Sequence, residues 1–213
     1  MNLKKRWLKS YRLCVIINRP FFKDTQDLVR VARKIANSAG VIIQLRDKES
    51  DKKTVLETAI ALKKQLARTK SLFIVNDHVD IAKLVDADGV HLGQTDLPLP
   101  AARKFLGRDK IIGISCLSLK DALLAQGQGA DYLGVGPVFA TSTKSECAPL
   151  GRELVKSVIK KSKIPVFAIG GINEVSITEV LALGASRVAV SSAICTATDP
   201  VLATRSFINI LNS

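Results

Sequence analysis

Histidine is scarce in this chain: only His78 and His91 occur. That excludes a multi-histidine metal site and leaves few candidates for a catalytic triad that relies on a histidine base. Cysteine is sparse too, and no two of Cys14, Cys116, Cys147 and Cys195 have metal-knuckle or redox spacing. Nothing suggests a disulfide framework. Aromatic residues make up only 5% of the chain, without the spaced clusters that stack bases on an RNA-binding sheet. No stretch approaches the roughly 18 consecutive apolar residues of a membrane-spanning helix. The first twelve residues contain no acid, and no apolar run of signal-peptide length follows them at once. The expectation is a soluble, cytoplasmic protein.

What is present is a large apolar inventory. Hydrophobic residues form 47% of 213 residues, enough to fill a sizeable core and too many for a disordered chain. The formal net charge is +13, with Lys4, Lys5, Arg6, Lys9 and Arg12 in the first twelve positions. Such an excess attracts polyanions and phosphorylated small molecules alike. Without base-stacking aromatics, small phosphorylated ligands are the preferred partners and no nucleic acid is expected. Lys156, Lys160, Lys161 and Lys163 read as the solvated face of a helix.

Eight short, β-branched apolar runs recur along the chain: 13–17, 41–45, 72–75, 89–92, 111–114, 132–135, 166–169 and 187–190. Each is too short for a helix and suits a strand buried on both faces. Between them lie segments with helical spacing of apolar residues, as at Leu28, Val31 and Ile35, or Leu56, Ile60, Leu62 and Leu66. Gly40, Gly129 and Gly184 stand where a helix hands over to the next strand. Eight units of about 27 residues imply a parallel sheet closed into a single-domain (β/α)₈ TIM barrel. An open doubly wound sheet is the rival, but the first turn, Asn18-Arg19-Pro20-Phe21, lacks its glycine-rich signature. Residues 1–10 read as a basic N-terminal extension and 11–213 as the catalytic barrel. The extension is expected to be dispensable.

In a parallel barrel the loops after the strands share one face, and chemistry sits there. Those positions carry Gln44, Leu45, Arg46, Asp47 and Lys48, then Asn76, Asp77 and His78, then Gln94, Thr95 and Asp96. Further on come Ser115, then Thr141, Ser142, Thr143 and Lys144, Gly170-Gly171, and Ser191-Ser192. Arg46, Lys48 and Lys144 suit phosphate. Asp77 and Asp96 suit a shared Mg²⁺, which takes one or two carboxylates plus phosphate oxygens. Each aspartate also suits a helix N-cap or the approach to one. Gly170-Gly171 with Ser191-Ser192 matches the phosphate site of the seventh and eighth barrel loops, the alternative being a tight turn and an N-cap. His91 reads first as a hydrogen-bonded core histidine, with a proton carrier as the alternative. Loop 136–151 is long enough to be a lid or binding loop.

These residues resemble the thiamine-phosphate synthase family and its relative, the thiazole tautomerase. The resemblance rests on Gln44-Leu45-Arg46-Asp47-Lys48, Asn76-Asp77, Ala87 to Pro98, Ile112-Gly113-Ile114-Ser115, Ala130 to Phe139, Thr141-Ser142-Thr143-Lys144 and Ala168-Ile169-Gly170-Gly171-Ile172. The segments occur in family order along nearly the whole chain. The resemblance implies a transferase that joins 4-amino-2-methyl-5-(diphosphooxymethyl)pyrimidine to a thiazole phosphate, giving thiamine phosphate and pyrophosphate. It implies the pyrimidine diphosphate against Gln44, Leu45, Arg46, Asp47, Lys48, Asn76, Ser115 and Lys144. One Mg²⁺ would lie on Asp77 and Asp96. Thr141, Ser142 and Thr143 would meet the thiazole phosphate, with Gly171, Ser191 and Ser192 on its phosphate. Arg46, Lys48, Lys144 and Ser115 would act on the reacting groups. The implied reaction is dissociative and needs no strong general base, in keeping with the shortage of histidine.

The chain departs from the family pattern at His78, where Arg is usual, and at Ser191, where an aliphatic residue is usual. The tautomerase would not need the diphosphate and metal set, so its retention favours the synthase. A catalytically idle barrel that binds an anion or RNA through its basic surface is the alternative of a different class.

Overall fold

The computed structural model describes residues 3–141 and 148–213. All eight apolar runs form strands: β1 (Leu13–Asn18), β2 (Ile42–Arg46), β3 (Leu72–Asn76), β4 (Gly89–Leu92), β5 (Ile111–Cys116), β6 (Tyr132–Val135), β7 (Val166–Ile169) and β8 (Val188–Val190). Each pairs in parallel with its sequence neighbours, and β8 returns to β1 through Leu13, Cys14 and Val15. The sheet is therefore a closed eight-stranded barrel, not an open doubly wound one. Closure removes both sheet edges and buries every strand on two faces, which is why the runs are continuously apolar rather than alternating.

The connections are helical: α1 (Leu3–Ser10), α2 (Thr25–Ser38), α3 (Lys52–Leu66), α4 (Val79–Leu84), α5 (Leu99–Leu106), α6 (Leu119–Gly127), α7 (Arg152–Lys161), α8 (Ile177–Ala182), α9 (Ser192–Cys195) and α10 (Pro200–Asn212). Side chains of Asp24, Asp51, Ser118 and Asp199 accept backbone N–H groups at the starts of α2, α3, α6 and α10, satisfying donors that a helix cannot pair internally. Among the described residues no helix is long and apolar enough to cross a membrane.

Strand alternation divides the core into two shells. Val15, Ile17, Val41, Ile43 and Leu45 face outward and pack with helix residues such as Leu28, Ile35, Leu62 and Phe207. Cys14, Ile16, Ile42, Leu72, Ile74, Ile111, Tyr132, Phe167 and Ala189 form a second cluster inside the barrel. Leu8, from α1, joins that inner cluster from outside the strands and is 2% exposed, with Trp7 and Tyr11 packed against the same cluster. Ion pairs hold α1 there: Lys4 with Asp88, and Lys5 with Asp131 at 2.7 Å. Both aspartates also accept a backbone N–H from a strand, Phe73 at 2.8 Å and Ile112 at 2.9 Å. Residues 3–10 are thus a helix that plugs the N-terminal mouth of the barrel.

Candidate active site

The inward-facing column on several strands turns from apolar to polar as the strand runs toward its C-terminal end. On β1 it reads Cys14, Ile16, Asn18; on β2, Ile42, Gln44, Arg46; on β3, Leu72, Ile74, Asn76; on β5, Ile111, Gly113, Ser115. The period of two fixes these sets. At that end lies a cavity of ≈ 280 Å³, lined among others by Gln44, Arg46, Lys48, Asn76, Asp77, Asp96, Ser115, Thr141, Gly171, Ser191 and Ser192. Every site residue just named was expected from the sequence. Ser142, Thr143 and Lys144 lie outside the described residues.

Leu45 and Asp47 are not among the residues that line the cavity. Leu45 alternates to the outer face, where it is buried in the helix-facing shell. Asp47 is buried and holds its own loop, accepting the N–H groups of Glu49 at 3.1 Å and Ser50 at 3.0 Å. Sequence reasoning missed Asn18, whose Oδ1 accepts a hydrogen bond from Arg46 Nη1 at 2.6 Å. It also left Gln94 without a role, although its Nε2 donates to the Ser115 carbonyl at 2.5 Å. A polar residue ending an apolar strand was the available signal for Asn18.

Arg46 is half-buried. Burial pulls its pKa below the ordinary range, and the charges of Asp77 and Glu49 oppose that shift. Lys48 Nζ lies 3.1 Å from Asp77 Oδ2. Asp77 has positive φ (62°), a conformation that aspartate tolerates better than most residues. Its N–H donates to the His91 carbonyl at 2.9 Å. Burial first, then a hydrogen bond with Asp96, hold the Asp77 carboxyl above the usual carboxylate range, and Lys48 opposes both.

Neither aspartate is a helix cap. The N-cap residues of α4 and α5 are His78 and Pro98, and the Asp96 carboxylate accepts the Gly93 N–H at 2.6 Å. Two facing carboxylates, with that of Asp77 held above its usual range, are a place for a shared proton or a cation. Among the described residues no group of three or more His, Cys, Asp or Glu side chains could form an all-protein metal cage. The donor set therefore fits a hard cation that takes its remaining ligands from water and phosphate.

Across the cavity, Gly170 and Gly171 both have positive φ (102° and 65°). A Cβ at Gly171 would lie 2.5 Å from the Ala140 carbonyl oxygen. The start of the long loop is pinned to this turn, with the N–H groups of Val138 and Phe139 donating to the carbonyls of Ile169 and Gly170. Gly171→Ala is expected to destabilise the fold by about 1–3 kcal/mol, read by urea unfolding; an unchanged midpoint would show that the turn yields. Ser191, not Ser192, is the N-cap residue of α9. Its hydroxyl donates to the Ile16 carbonyl at 2.6 Å, tying β8 to β1.

The chain matches the family model described as thiamine monophosphate synthase over residues 13–194. A thiamine-phosphate synthase of Shouchella clausii (strain KSM-K16) is 46% identical over 90% of this chain and 92% of its own length. Another from Synechococcus sp. (strain CC9311) is 44% identical over 96% of this chain, which spans 58% of that longer relative. Among solved structures, a thiamine phosphate pyrophosphorylase from Pyrococcus furiosus superposes with a TM-score of 0.85 at 36% identity, covering 99% of this chain and 98% of that one. An N-acetylmannosamine-6-phosphate 2-epimerase from Clostridium perfringens, at 17% identity and a TM-score of 0.68, shares the fold alone. A barrel whose cations, paired aspartates and glycine turn all meet at one cavity, with relatives this similar over nearly its whole length, belongs to the thiamine monophosphate synthase family of transferases.

Proposed function

We propose that the chain is a cytoplasmic thiamine-phosphate synthase that joins 4-amino-2-methyl-5-(diphosphooxymethyl)pyrimidine to a thiazole phosphate and releases pyrophosphate. The observation that supports this reading is one cavity lined by two sets of groups suited to anions. Arg46 and Lys48, beside the Asp77–Asp96 pair that would hold a cation, are one set; Gly171, Ser191 and Ser192 are the other. An enzyme acting on one phosphorylated ligand has no need of both. The buried, unpaired thiols of Cys14, Cys116 and Cys195 suit a reducing compartment.

In this reading the diphosphate lies against Arg46 and Lys48, joined by Lys144, and the pyrimidine against Gln44, Asn76 and Ser115. Asp77 and Asp96 would hold Mg²⁺, which when bound supplies positive charge beside the diphosphate oxygens. The bond between the methylene carbon and the diphosphate oxygen breaks, and its electron pair leaves with pyrophosphate. Arg46 and Lys48 offset the negative charge gathering there, in a site whose dipoles are already oriented. Asn76 orients the aminopyrimidine, whose electron donation spreads the positive charge left on the methylene carbon. Thr141, with Ser142 and Thr143, positions the thiazole, whose phosphate rests on Gly171, Ser191 and Ser192. The thiazole nitrogen then gives its lone pair to the methylene carbon. No proton is taken from carbon, so no strong base is required.

The test is pyrophosphate release with each substrate alone and with both, with and without Mg²⁺, in the native chain and in Asp96→Ala. Release is expected to need both substrates and Mg²⁺, and to fall at least about a hundredfold in the variant. No release from folded protein given both substrates and metal would remove this reading. Metal-independent aromatisation of a thiazole carboxylate phosphate would replace it with the tautomerase.

A further inference from the structure

The inward column of β6 begins with Tyr132, a residue that the reaction as described does not use. Its phenol lies inside the barrel, 2% exposed, and does not line the cavity. Tyr132 Oη is 3.0 Å from His91 Nδ1, and His91 Nε2 is 2.9 Å from Ser115 Oγ. Ser115 does line the cavity. A hydrogen-bonded row thus runs from the buried barrel interior to a hydroxyl at the ligand site, crossing β6, β4 and β5.

The surrounding backbone is shaped for this row. Gly113 is the strand partner of both His91 and Tyr132, and Gly134 is the partner of Ser115. A Cβ at Gly113 would lie 2.0 Å from Tyr132 Cζ, and one at Gly134 would lie 3.1 Å from His91 Cε1. These two glycines make room for the two rings. Phe167 meets Tyr132 edge-on, with ring centroids 5.5 Å apart and planes at 76°, which holds the phenol in one orientation.

The direction of the hydrogen bonds follows from chemistry. A phenol is a strong donor and a weak acceptor, whereas the bare nitrogen of a neutral imidazole is a strong acceptor. Burial pushes the Tyr132 phenol well above its ordinary range, so it keeps its proton. The Gln44 side chain acts in the opposite direction on that shift without outweighing burial. With a neutral imidazole, this chemistry sets the Tyr132 proton toward Nδ1 and the ring proton on Nε2, facing Ser115.

We propose that Tyr132 is a positioning residue: through His91 it fixes the Ser115 hydroxyl as a hydrogen-bond donor toward the ligand. With Nε2–H already donating to its oxygen, Ser115 directs its own hydrogen into the cavity, and a ring nitrogen or phosphate oxygen there meets a donor set in place before binding. The proposal rests on the synthase reading for the identity of that ligand; the direction of the row rests on the two distances together with the donor and acceptor strengths of phenol and neutral imidazole.

The test has a spectroscopic and a kinetic arm, both on the full chain. The chain has two histidines, so ¹⁵N-histidine labelling gives two ring patterns, and His78→Gln identifies that of His91. The expected pattern for His91 is a protonated Nε2 with a bare Nδ1, lost in Tyr132→Phe. In turnover, Tyr132→Phe is expected to lower kcat/KM for the pyrimidine diphosphate about tenfold and to leave KM for the thiazole phosphate unchanged. A general loosening of the barrel would move both. In a Ser115→Ala background the same substitution is expected to have no further effect. A wild-type His91 protonated on Nδ1, or on both nitrogens, overturns the proposal. So do additive losses in the double variant. A wild-type protein without turnover removes the synthase reading instead, and the ring pattern still decides the direction of the row. That pattern also suffices if Tyr132→Phe does not fold.

Discussion

Arg46→Ala is expected to lower the rate of pyrophosphate release by about two to three orders of magnitude, the loss typical of removing one oriented charge-stabilising donor. Arg46 projects from the end of β2 on the inward face, half-buried, so its charge acts where water screens it less than at the surface. Asn18 fixes the guanidinium through the 2.6 Å bond to Nη1, leaving other N–H groups of the fork for an anion. Arg46→Lys keeps the charge and loses the fork, so it is expected to recover only part of the rate. Thermal unfolding is the companion measurement, because a rate loss in a protein with an unchanged midpoint belongs to the site. A loss of less than about threefold on alanine substitution would move the leaving-group charge to Lys48 and Lys144, in conflict with the burial of Arg46.

The second large effect is on stability. Leu8→Ala is expected to cost about 2–5 kcal/mol, the range for emptying a packed leucine site, and to lower the thermal midpoint by roughly 5–15 °C in a domain of this size. The reason is the position of Leu8 against Cys14, Ile42, Leu72 and Ile111 in the inner cluster. Its loss opens the barrel at the end opposite the cavity. Deleting residues 1–10 removes the plug together with both ion pairs, and is expected to give a protein that unfolds well below the full chain or does not accumulate in soluble form. Lys4→Ala alone should lower the midpoint less than Leu8→Ala, because Asp88, though its side chain is only 9% exposed, keeps its hydrogen bond from the Phe73 N–H. A truncated chain with the full-length midpoint would show that α1 rests on the barrel without supporting it.

The sequence by itself determined the barrel and most of the cavity wall. Eight apolar runs separated by helical periods specify parallel strands buried on both faces, and the polar residues that end or follow those runs, Arg46, Asn76 and Ser115 among them, fall on the strand-to-helix side. Paired aspartates after β3 and β4 were visible because they interrupt apolar patterns, and the glycine pair after β7 because few other residues suit such a turn.

The tertiary structure decided what periodicity cannot carry. Leu45 and Asp47 stand in the same motif as Arg46, but alternation turns one outward and a local hydrogen-bonded loop withdraws the other. Whether Asp77 and Asp96 cap helices or face each other depends on where two loops meet in space, and that is fixed only when β3 and β4 pair. Leu8 lies in a short, basic segment with little apolar content, so no local pattern marks it as core; its burial exists because a closed barrel has an end that must be covered. The row from Tyr132 through His91 to Ser115 joins three strands whose register brings the residues together, and sequence spacing holds no record of that register.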